Sequence, residues 1–216
     1  MKSFLNTIRL IIKIIYAFLY KQYLRLFINK IGKNSTIYPY IDFHQPTQIA
    51  INANCIIRKG VTIKGRSIHK IGVFIGKGVS IREFSNIDSY MGYIHIDDYC
   101  AIGHNCFIGG QGGVKIGKYT MIGGKTYIIS SNHKFENLDI PYMLQGDNAE
   151  EIFIGNNVWI GANCTILSGV TIGNNCIVAA GSVVTKSFQN NLMIAGNPAK
   201  IIKTINYSYV WDKETI

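Results

Sequence analysis

The chain has 216 residues, of which 48% are hydrophobic, so it is long enough for one well-buried domain with an additional segment. This apolar fraction excludes an intrinsically disordered chain. The formal charge of +10 would suit a nucleic-acid-binding protein, but seven basic residues stand within the first 33 positions and no acidic residue precedes Asp42. The charge therefore belongs to the N-terminal segment, and no nucleic-acid partner is expected.

Residues 1–31 are the first predicted element, an amphipathic helical segment. Its polar residues recur at Lys2, Asn6, Arg9 and Lys13, and the rest of the circumference is apolar. The longest charge-free run, Ile14 to Tyr20, is far shorter than the roughly 18 residues that indicate a membrane span, and no signal-peptide cleavage site follows. A basic stripe beside a broad apolar face indicates a helix lying in an anionic membrane interface. The alternative is a helix buried within the protein's own oligomer.

From residue 51 onward, aliphatic residues recur with a period of six and are often followed by glycine. This period fits neither a helix nor a straight strand, but it fits short strands joined by corners, three of which close a triangular coil. Stacked coils would form a solenoid of parallel strands around an aliphatic interior. Deleting residues 1–29 is therefore expected to leave the solenoid whole. The register positions are Ile51, Ile57, Ile63, Ile75, Ile81, Ile87, Ile96, Ile102, Ile108, Ile116, Ile122, Ile128, Ile154, Ile160, Ile166, Ile172, Val178 and Val184.

All five cysteines occupy the fifth position of a hexad, where the interior has space only for a small side chain. Because a disulfide framework or a zinc site needs paired or clustered spacing, this shared position predicts buried, reduced thiols. The odd count and the lack of a C-x-x-C pair favour a reducing cytoplasm. The cysteines are Cys55, Cys100, Cys106, Cys164 and Cys176.

One step of the repeat is far longer than the others. Ile128 and Ile154 are 26 residues apart where six would suffice, so residues 134–153 are predicted to leave the solenoid at a corner directly after His133. A loop of this length in a compact repeat is usually functional or disordered. Its proline, aromatic and acidic residues favour an ordered wall beside His133. The alternative is that His133 is an ordinary surface histidine next to a mobile loop.

The second half of the chain contains specific motifs, which read in order VKIGK, NHKF, PYMLQG, IGNNVWIGAN, ILSGVTIG, AAGSVVTK and AGNPAK. They resemble the motifs of hexapeptide-repeat acyltransferases of the sugar and polysaccharide O-acetyltransferase type. The resemblance covers about residues 51–203 and implies an all-β solenoid, a left-handed parallel β-helix. The expected organisation is an N-terminal helical segment (1–31), a β-helix domain (32–203) with an extended active-site loop (134–153), and a short C-terminal tail or helix (204–216).

This resemblance also implies a reaction, in which acetyl-CoA as co-substrate donates an acetyl group to a hydroxyl of a surface-polysaccharide sugar, without a metal. A neutral imidazole can remove the hydroxyl proton during attack on the thioester, and the family's histidine at this point implies that His133 is the general base. A backbone N–H can stabilise the oxyanion, and by resemblance Ala162 supplies it. The family places Trp159, predicted to be exposed, against the acyl donor. A contact between subunits is the alternative for this tryptophan.

Further residues are candidates for binding the two substrates. Asn132 precedes the candidate base, while His104 and Asn105 stand one coil earlier, near the face that leads to the pocket; all three are candidate acceptor contacts. The resemblance implies a homotrimer with active sites between subunits and a carbohydrate acceptor. The cysteines predict a cytoplasmic enzyme, and the N-terminal helix predicts its peripheral association with the inner face of the membrane. Besides Trp159 and Ala162, the candidate donor-binding residues are Ala180, Ser182, Thr185, Lys186, Lys200 and Lys203.

Other functions fit the sequence less well. N-acetylation of an amino sugar, or antibiotic acetylation, on the same fold is the first alternative. A zinc hydro-lyase resembling the γ-type carbonic anhydrases needs three convergent histidines, and His95, His104 and His133 do not have that spacing. A non-catalytic scaffold would not require the excursion after a histidine. The stretch GGVKIGKY at 112–119 lacks the final Ser or Thr of a P-loop.

Overall fold

The computed structural model describes residues 2–206, which form an N-terminal helix followed by a parallel β-solenoid. The helix α1 spans Lys2–Leu24, and short 3-10 helices span Pro46–Gln48 and Tyr142–Leu144. Within the described chain, no helix is long and apolar enough to cross a membrane. Residues 207–216, most of the predicted C-terminal tail, lie outside the described residues.

Three sheets form the sides of the solenoid, and each coil adds one strand to each sheet in turn. The first sheet contains β1 (Lys30–Ile31), β4 (Ile49–Ile51), β7 (Val73–Ile75), β10 (Ile94–Ile96), β13 (Val114–Ile116), β18 (Ile152–Ile154) and β21 (Thr171–Ile172). The second contains β2 (Thr36–Ile37), β5 (Ile56–Ile57), β8 (Ser80–Ile81), β11 (Ala101–Ile102), β14 (Met121–Ile122), β19 (Trp159–Ile160), β22 (Ile177–Val178), β24 (Leu192–Gly196) and β25 (Ala199–Thr204). The third contains β3 (Asp42–His44), β6 (Thr62–Lys64), β9 (Asn86–Asp88), β12 (Phe107–Gly109), β15 (Tyr127–Ile129), β20 (Thr165–Ile166) and β23 (Val183–Val184). All neighbours within these sheets are parallel except β24 and β25, which pair antiparallel.

The interior is filled by the predicted aliphatic positions. All of the register positions from Ile51 to Val184 are buried, none of them more than 3% exposed. Complete burial of one such side chain contributes about 1.5–3 kcal/mol relative to leaving it in water. Stacked layers of isoleucine therefore stabilise the solenoid, and the predicted fold is confirmed.

Small side chains at the fifth hexad position link each coil to the next. All five cysteines are free and buried, as predicted. The Cys164 thiol donates to the carbonyl oxygen of Ala179 at 3.2 Å, and at an equivalent position the Ser85 hydroxyl donates to Gly103 at 2.8 Å. Burial raises the pKa of all five thiols, to about 12 for Cys100. These thiols thus act as small hydrogen-bonding core groups.

The solenoid begins earlier than the sequence repeat indicates. Strands β1 to β3 form a coil before residue 51, in which Ile31 pairs with Ile51. The repeat is hard to see there because Phe43 takes the place of isoleucine in β3. Leu24 at the end of α1 and Ile28 after it are buried in the same core and cap its open end. Removing residues 1–29 would therefore take two side chains out of the core, contrary to the expectation that it leaves the solenoid whole.

The longest connections of the solenoid all lie at one corner, where the third sheet gives way to the first. They comprise residues 65–72, 89–93 and 130–151, whereas the connections at the other two corners have four residues each. Extra chain at this corner builds a wall along one edge of the prism. The predicted excursion is the longest part of that wall.

The excursion is a hydrogen-bonded hairpin. Strands β16 (Ser131–His133) and β17 (Asp147–Ala149) pair antiparallel at its base. At its tip, the Gln145 amide nitrogen donates to the carbonyl oxygens of Asn137 and Ile140, both at 2.7 Å, while the Gln145 side-chain oxygen accepts from the Asn137 N–H at 3.2 Å. These bonds give the excursion a defined shape beside His133.

Candidate active site

The candidate base lies in the hairpin, opposite an aspartate. In the β16–β17 register His133 faces Asp147, and the imidazole Nδ1 lies 2.8 Å from the carboxylate Oδ1. The second carboxylate oxygen of Asp147 accepts from the side-chain amide of Gln111 at 3.1 Å. Because a carboxylate can only accept, Nδ1 carries the proton of a neutral imidazole and Nε2 keeps its lone pair. The exposed ring therefore presents a basic nitrogen to solvent.

This pair opens onto a cleft of about 440 Å³. Asn132, predicted as an acceptor contact, lines it next to His133. Sequence reasoning did not find Asp147, Gln111 and Tyr90. Asp147 follows His133 by fourteen residues, and only the hairpin register brings the two together. The complete lining is Tyr90, Gln111, Ile129, Ser131, Asn132, His133 and Asp147.

Ala162 lies at a different corner, between the second and third sheets. Within residues 2–206 its N–H has no hydrogen-bond acceptor, whereas the N–H of Gly161 bonds to Val178 and that of Asn163 to Gly124. Glycine at position 123 in the preceding coil keeps the backbones close, because a Cβ there would lie 2.4 Å from the Ala162 nitrogen. The corner is flat and presents an unpaired donor, as an oxyanion site requires.

Trp159 stands on the second sheet beside that corner. It is 53% exposed, as predicted, and its strand pairs with Met121 on one side and Ile177 on the other. A shallow cavity of about 250 Å³ extends from the indole toward earlier coils. Its lining is Ser80, Arg82, Ala101, Ile102, Gly103, Met121, Ile122, Gly123 and Trp159. A flat, glycine-lined surface with an exposed indole can accept an extended ligand.

One chain therefore carries two half-sites on the two edges of its third sheet. The edge toward the first sheet has His133 with Asp147, and the edge toward the second has Ala162 with Trp159. His104 and Asn105, predicted to approach the acceptor, belong to the Ala162 edge: a Cβ at Gly124 would lie 2.7 Å from the His104 ring. The structure does not bring them to His133.

Comparisons with known proteins agree with this fold. Residues 151–186 match the family model described as bacterial transferase hexapeptide (six repeats). WbbJ of Escherichia coli K12, provisionally named a lipopolysaccharide biosynthesis O-acetyl transferase, is 35% identical over 170 residues, covering 74% of this chain and 85% of WbbJ. The chain belongs to the hexapeptide-repeat acetyltransferases.

Two further proteins, one relative by sequence and one solved structure, resemble this acetyltransferase. WcaF of Escherichia coli K12, provisionally named a colanic acid biosynthesis acetyltransferase, is 32% identical over 132 residues, covering 61% of this chain and 69% of WcaF. A crystal structure of a mutant of AntD, an N-acyltransferase from Bacillus cereus, superposes with a TM-score of 0.64 at 20% identity, covering 86% of this chain and 89% of that one. The AntD likeness shows the fold alone.

The candidate donor-binding residues of this acetyltransferase lie at both edges of the third sheet. Ala180 follows Ala162 in the next coil, and a Cβ at Gly161 would lie 2.5 Å from its nitrogen. Lys200 is exposed on β25, opposite Ala195 near the same corner. The assignment of the Ser182 side chain to donor binding is corrected by the structure. Its buried hydroxyl donates to the carbonyl oxygen of Ala179 at 2.6 Å and accepts from the Gly196 N–H, so the hydroxyl is not available to a ligand.

The remaining lysine and threonine candidates lie in two different places. Thr185 and Lys186 are exposed just after β23, at the edge that carries His133. Lys203 is exposed on β25 opposite Met193, which continues the row of Trp159 and Ile177 along the second sheet. Thr185 and Lys186 meet the Ala162 half-site only if a neighbouring subunit brings the two edges together.

The histidines outside the two half-sites pack against, or pair with, neighbouring side chains. His95 stacks on Phe74 with ring centroids 4.4 Å apart, and burial lowers its pKa. His69 packs edge-on against Tyr93, and His44 pairs with Asp42 at 2.8 Å. Among residues 2–206, no three His, Cys, Asp or Glu side chains converge as metal ligands would.

Proposed function

We propose that this enzyme transfers an acetyl group from acetyl-CoA to a hydroxyl of a saccharide destined for a surface polysaccharide, with His133 as general base. The observation that carries the proposal is the contact between His133 and Asp147 in an open cleft at the edge of the solenoid. The names of WbbJ and WcaF, which refer to lipopolysaccharide and colanic acid biosynthesis, support this substrate class.

His133 activates the acceptor. Its Nε2 takes the proton of the sugar hydroxyl while the hydroxyl oxygen forms a bond to the thioester carbonyl carbon. Asp147, 2.8 Å from Nδ1, holds the ring and stabilises the imidazolium that forms. When the C–S bond breaks, the imidazolium returns the proton to the departing thiolate. No net proton is gained or lost by the enzyme.

Ala162 stabilises the charge that develops on the carbonyl oxygen. Its N–H is unpaired within the described chain and fixed by the stacked corner, so it needs no reorganisation during the reaction. Removal of one such donor typically costs about 10² to 10³ in kcat. Trp159 and the cavity beside it bind the pantetheine arm of the donor, and Lys200 meets its phosphates.

The two half-sites meet between subunits of a homotrimer. Threefold symmetry brings the His133 edge of one copy against the Ala162 edge of its neighbour if the third sheet faces the axis. That sheet carries the exposed Tyr127, which stacks on the half-buried Phe107 at 5.1 Å, and the exposed Tyr90 of the adjoining connection lies 6.2 Å from Phe107; these aromatic side chains are suited to burial at the axis. The active site is thus complete only in the assembly.

The acceptor extends from His133 along the same edge toward the N-terminal coils. A second cleft of about 530 Å³ shares Tyr90, Gln111 and Asp147 with the first. Its far side contains Arg66 and the Lys64–Asp88 ion pair, whose atoms are 3.0 Å apart. Together the clefts accommodate more than one sugar ring, and Arg66 offers a cation to an acidic substituent. An oligosaccharide acceptor fits this shape better than a monosaccharide.

Acetyl-CoA turnover with purified protein tests the proposal. Neutral and acidic mono- and oligosaccharides serve as acceptors, and release of the CoA thiol is followed. We expect His133→Ala to lower kcat by about 10² to 10⁴ while acetyl-CoA binding, measured by calorimetry, stays unchanged. His69→Ala, a histidine outside both half-sites, is the matched control. Near-normal turnover by His133→Ala would refute the assignment of the base.

N-acetylation of an amino sugar is the second candidate, because the same base and oxyanion donor would serve an amine. The product distinguishes the two reactions. An O-acetyl ester is released by mild alkali, whereas an amide survives it. An alkali-stable product formed only with amino sugars would replace the O-acetyl assignment and leave the acyltransferase chemistry in place.

A further inference from the structure

The two ends of α1 have different surroundings. Its last turns pack on the first coil: the Tyr20 hydroxyl donates to Ile41 O at 3.3 Å, the Lys21 ammonium donates to Ser35 O at 3.1 Å, and Leu24 is only 6% exposed. Farther toward the N-terminus, large apolar side chains of α1 are open to solvent. The C-terminal part of the helix is thus held by the solenoid.

Six of the exposed apolar side chains share one face. At 100° per residue they lie within a sector of about 120°. Tyr20 and Leu24, which contact the solenoid, lie on the opposite side of the helix by the same geometry. The apolar face therefore points away from the body of the enzyme. Its members are Ile8, Ile11, Ile12, Ile15, Phe18 and Leu19, each between 37% and 60% exposed.

An apolar face of this size indicates a binding partner. The charge of the N-terminal segment indicates which kind of partner it is. Seven basic residues and no acidic residue occur before Asp42, so packing several copies of this segment together would bring like charges into contact. An anionic lipid surface offsets the same charges and receives the apolar side chains at the boundary between headgroups and acyl chains. Since α1 does not qualify as a membrane span, it would lie along the surface.

We propose that the outward apolar face of α1 binds an anionic lipid bilayer and holds the enzyme at the membrane surface. Apolar burial sets the depth of the contact, and the net positive charge of the N-terminal segment adds a longer-range attraction to acidic headgroups. It does not depend on the acetyl-transfer chemistry, because neither half-site includes a residue of α1.

Sedimentation of the full-length protein with vesicles tests the proposal. We expect binding to vesicles of phosphatidylcholine mixed with phosphatidylglycerol, much weaker binding to phosphatidylcholine alone, and partial loss at high salt, because screening removes only the electrostatic part. The double variant Ile12→Glu, Ile15→Glu should bind at least about tenfold more weakly. Ile68→Glu is the matched control, since Ile68 is 77% exposed but lies on the distant 65–72 connection.

Circular dichroism and light scattering complete the test. The double variant should keep the melting temperature and the mass of the parent protein, because the substituted side chains are exposed. Failure of the full-length protein to bind phosphatidylglycerol vesicles, or equal binding by the double variant, overturns the proposal. So does a loss of oligomeric mass in the double variant, which would make the apolar face a contact between copies. Turnover on soluble acceptors, measured in parallel, reports on the proposed function separately.

Discussion

His133 and Asp147 lie 2.8 Å apart because a hairpin folds the chain back on itself. Either residue alone is ordinary: an exposed histidine, and an aspartate in a polar loop. Their contact assigns the imidazole proton to Nδ1 and leaves Nε2 to act as base. The amide of Gln111 fixes the other carboxylate oxygen at 3.1 Å, so the aspartate cannot rotate freely.

Asp147 is therefore expected to act as a positioning residue. Asp147→Asn should lower kcat by about 10 to 10³, because an amide no longer stabilises the imidazolium, with little change in the KM for acetyl-CoA. Steady-state kinetics with the donor and the acceptor varied separately measures this division. Asp139→Asn, at the exposed tip of the same excursion, is the control. An equal change in both parameters, with a lowered melting temperature, would indicate a purely structural role.

At the scale of single elements, α1 has two parts with different surroundings. Its last turn and the residues after it close the open end of the solenoid, where Leu24 and Ile28 are buried at 6% and 5% exposure. The preceding turns expose the apolar face. The boundary between the two parts falls near Tyr20, whose hydroxyl reaches Ile41.

Two truncations separate these parts. Removing residues 1–17 should leave the free energy of unfolding nearly unchanged, because the capping side chains remain. Removing residues 1–29 also removes Leu24 and Ile28, and each lost core side chain should cost about 2–5 kcal/mol. Urea denaturation followed by circular dichroism measures both. Equal stability of the two truncated proteins would show that the cap contributes nothing to the solenoid.

At the scale of the whole molecule, the two half-sites occupy different edges of one prism. A site assembled between subunits predicts that two inactive variants can complement each other. Each active site in a mixed trimer takes its His133 from one chain and its Trp159 from the neighbour. Co-assembly of His133→Ala chains with Trp159→Ala chains in equal amounts should restore about a quarter of the parental sites, by random combination in a cyclic trimer.

Differently tagged chains, co-expressed and purified through both tags, allow that measurement. This purification removes the pure trimers, so the restored fraction in the purified mixed trimers should be about one third. The expected turnover clearly exceeds that of either variant alone, and light scattering should give three times the 24.1 kDa of one chain. Mixed assemblies no more active than the pure variants would place both residues in a site within one chain. A fully active protein with the mass of a single chain would contradict the trimer itself.

Much of this architecture could be predicted from the sequence by itself. A period of six with isoleucine at its first position permits only short strands and corners, since each buried layer must be filled by the same kind of side chain. Cys55, Cys100 and the other cysteines share the fifth hexad position. This position likewise predicted buried thiols, because the interior has space there only for a small side chain. The long step after Ile128 located the candidate base at residue 133. These features are local and repetitive, so they are visible in one dimension.

The contacts that depend on strand register, and on the corner that each residue occupies, were decided only by the tertiary structure. The pairing of Asp147 with His133 follows from the β16–β17 alignment, which no spacing rule indicates. His104 and Ala162 share an edge, and Ser182 turns inward, because the direction of a side chain depends on its place in a closed coil. The early coil at β1 to β3 and the cap formed by Leu24 appear only when strands pair. A repeat determines the layers of this protein, but the contacts between distant residues on its edges arise only when the chain closes in three dimensions.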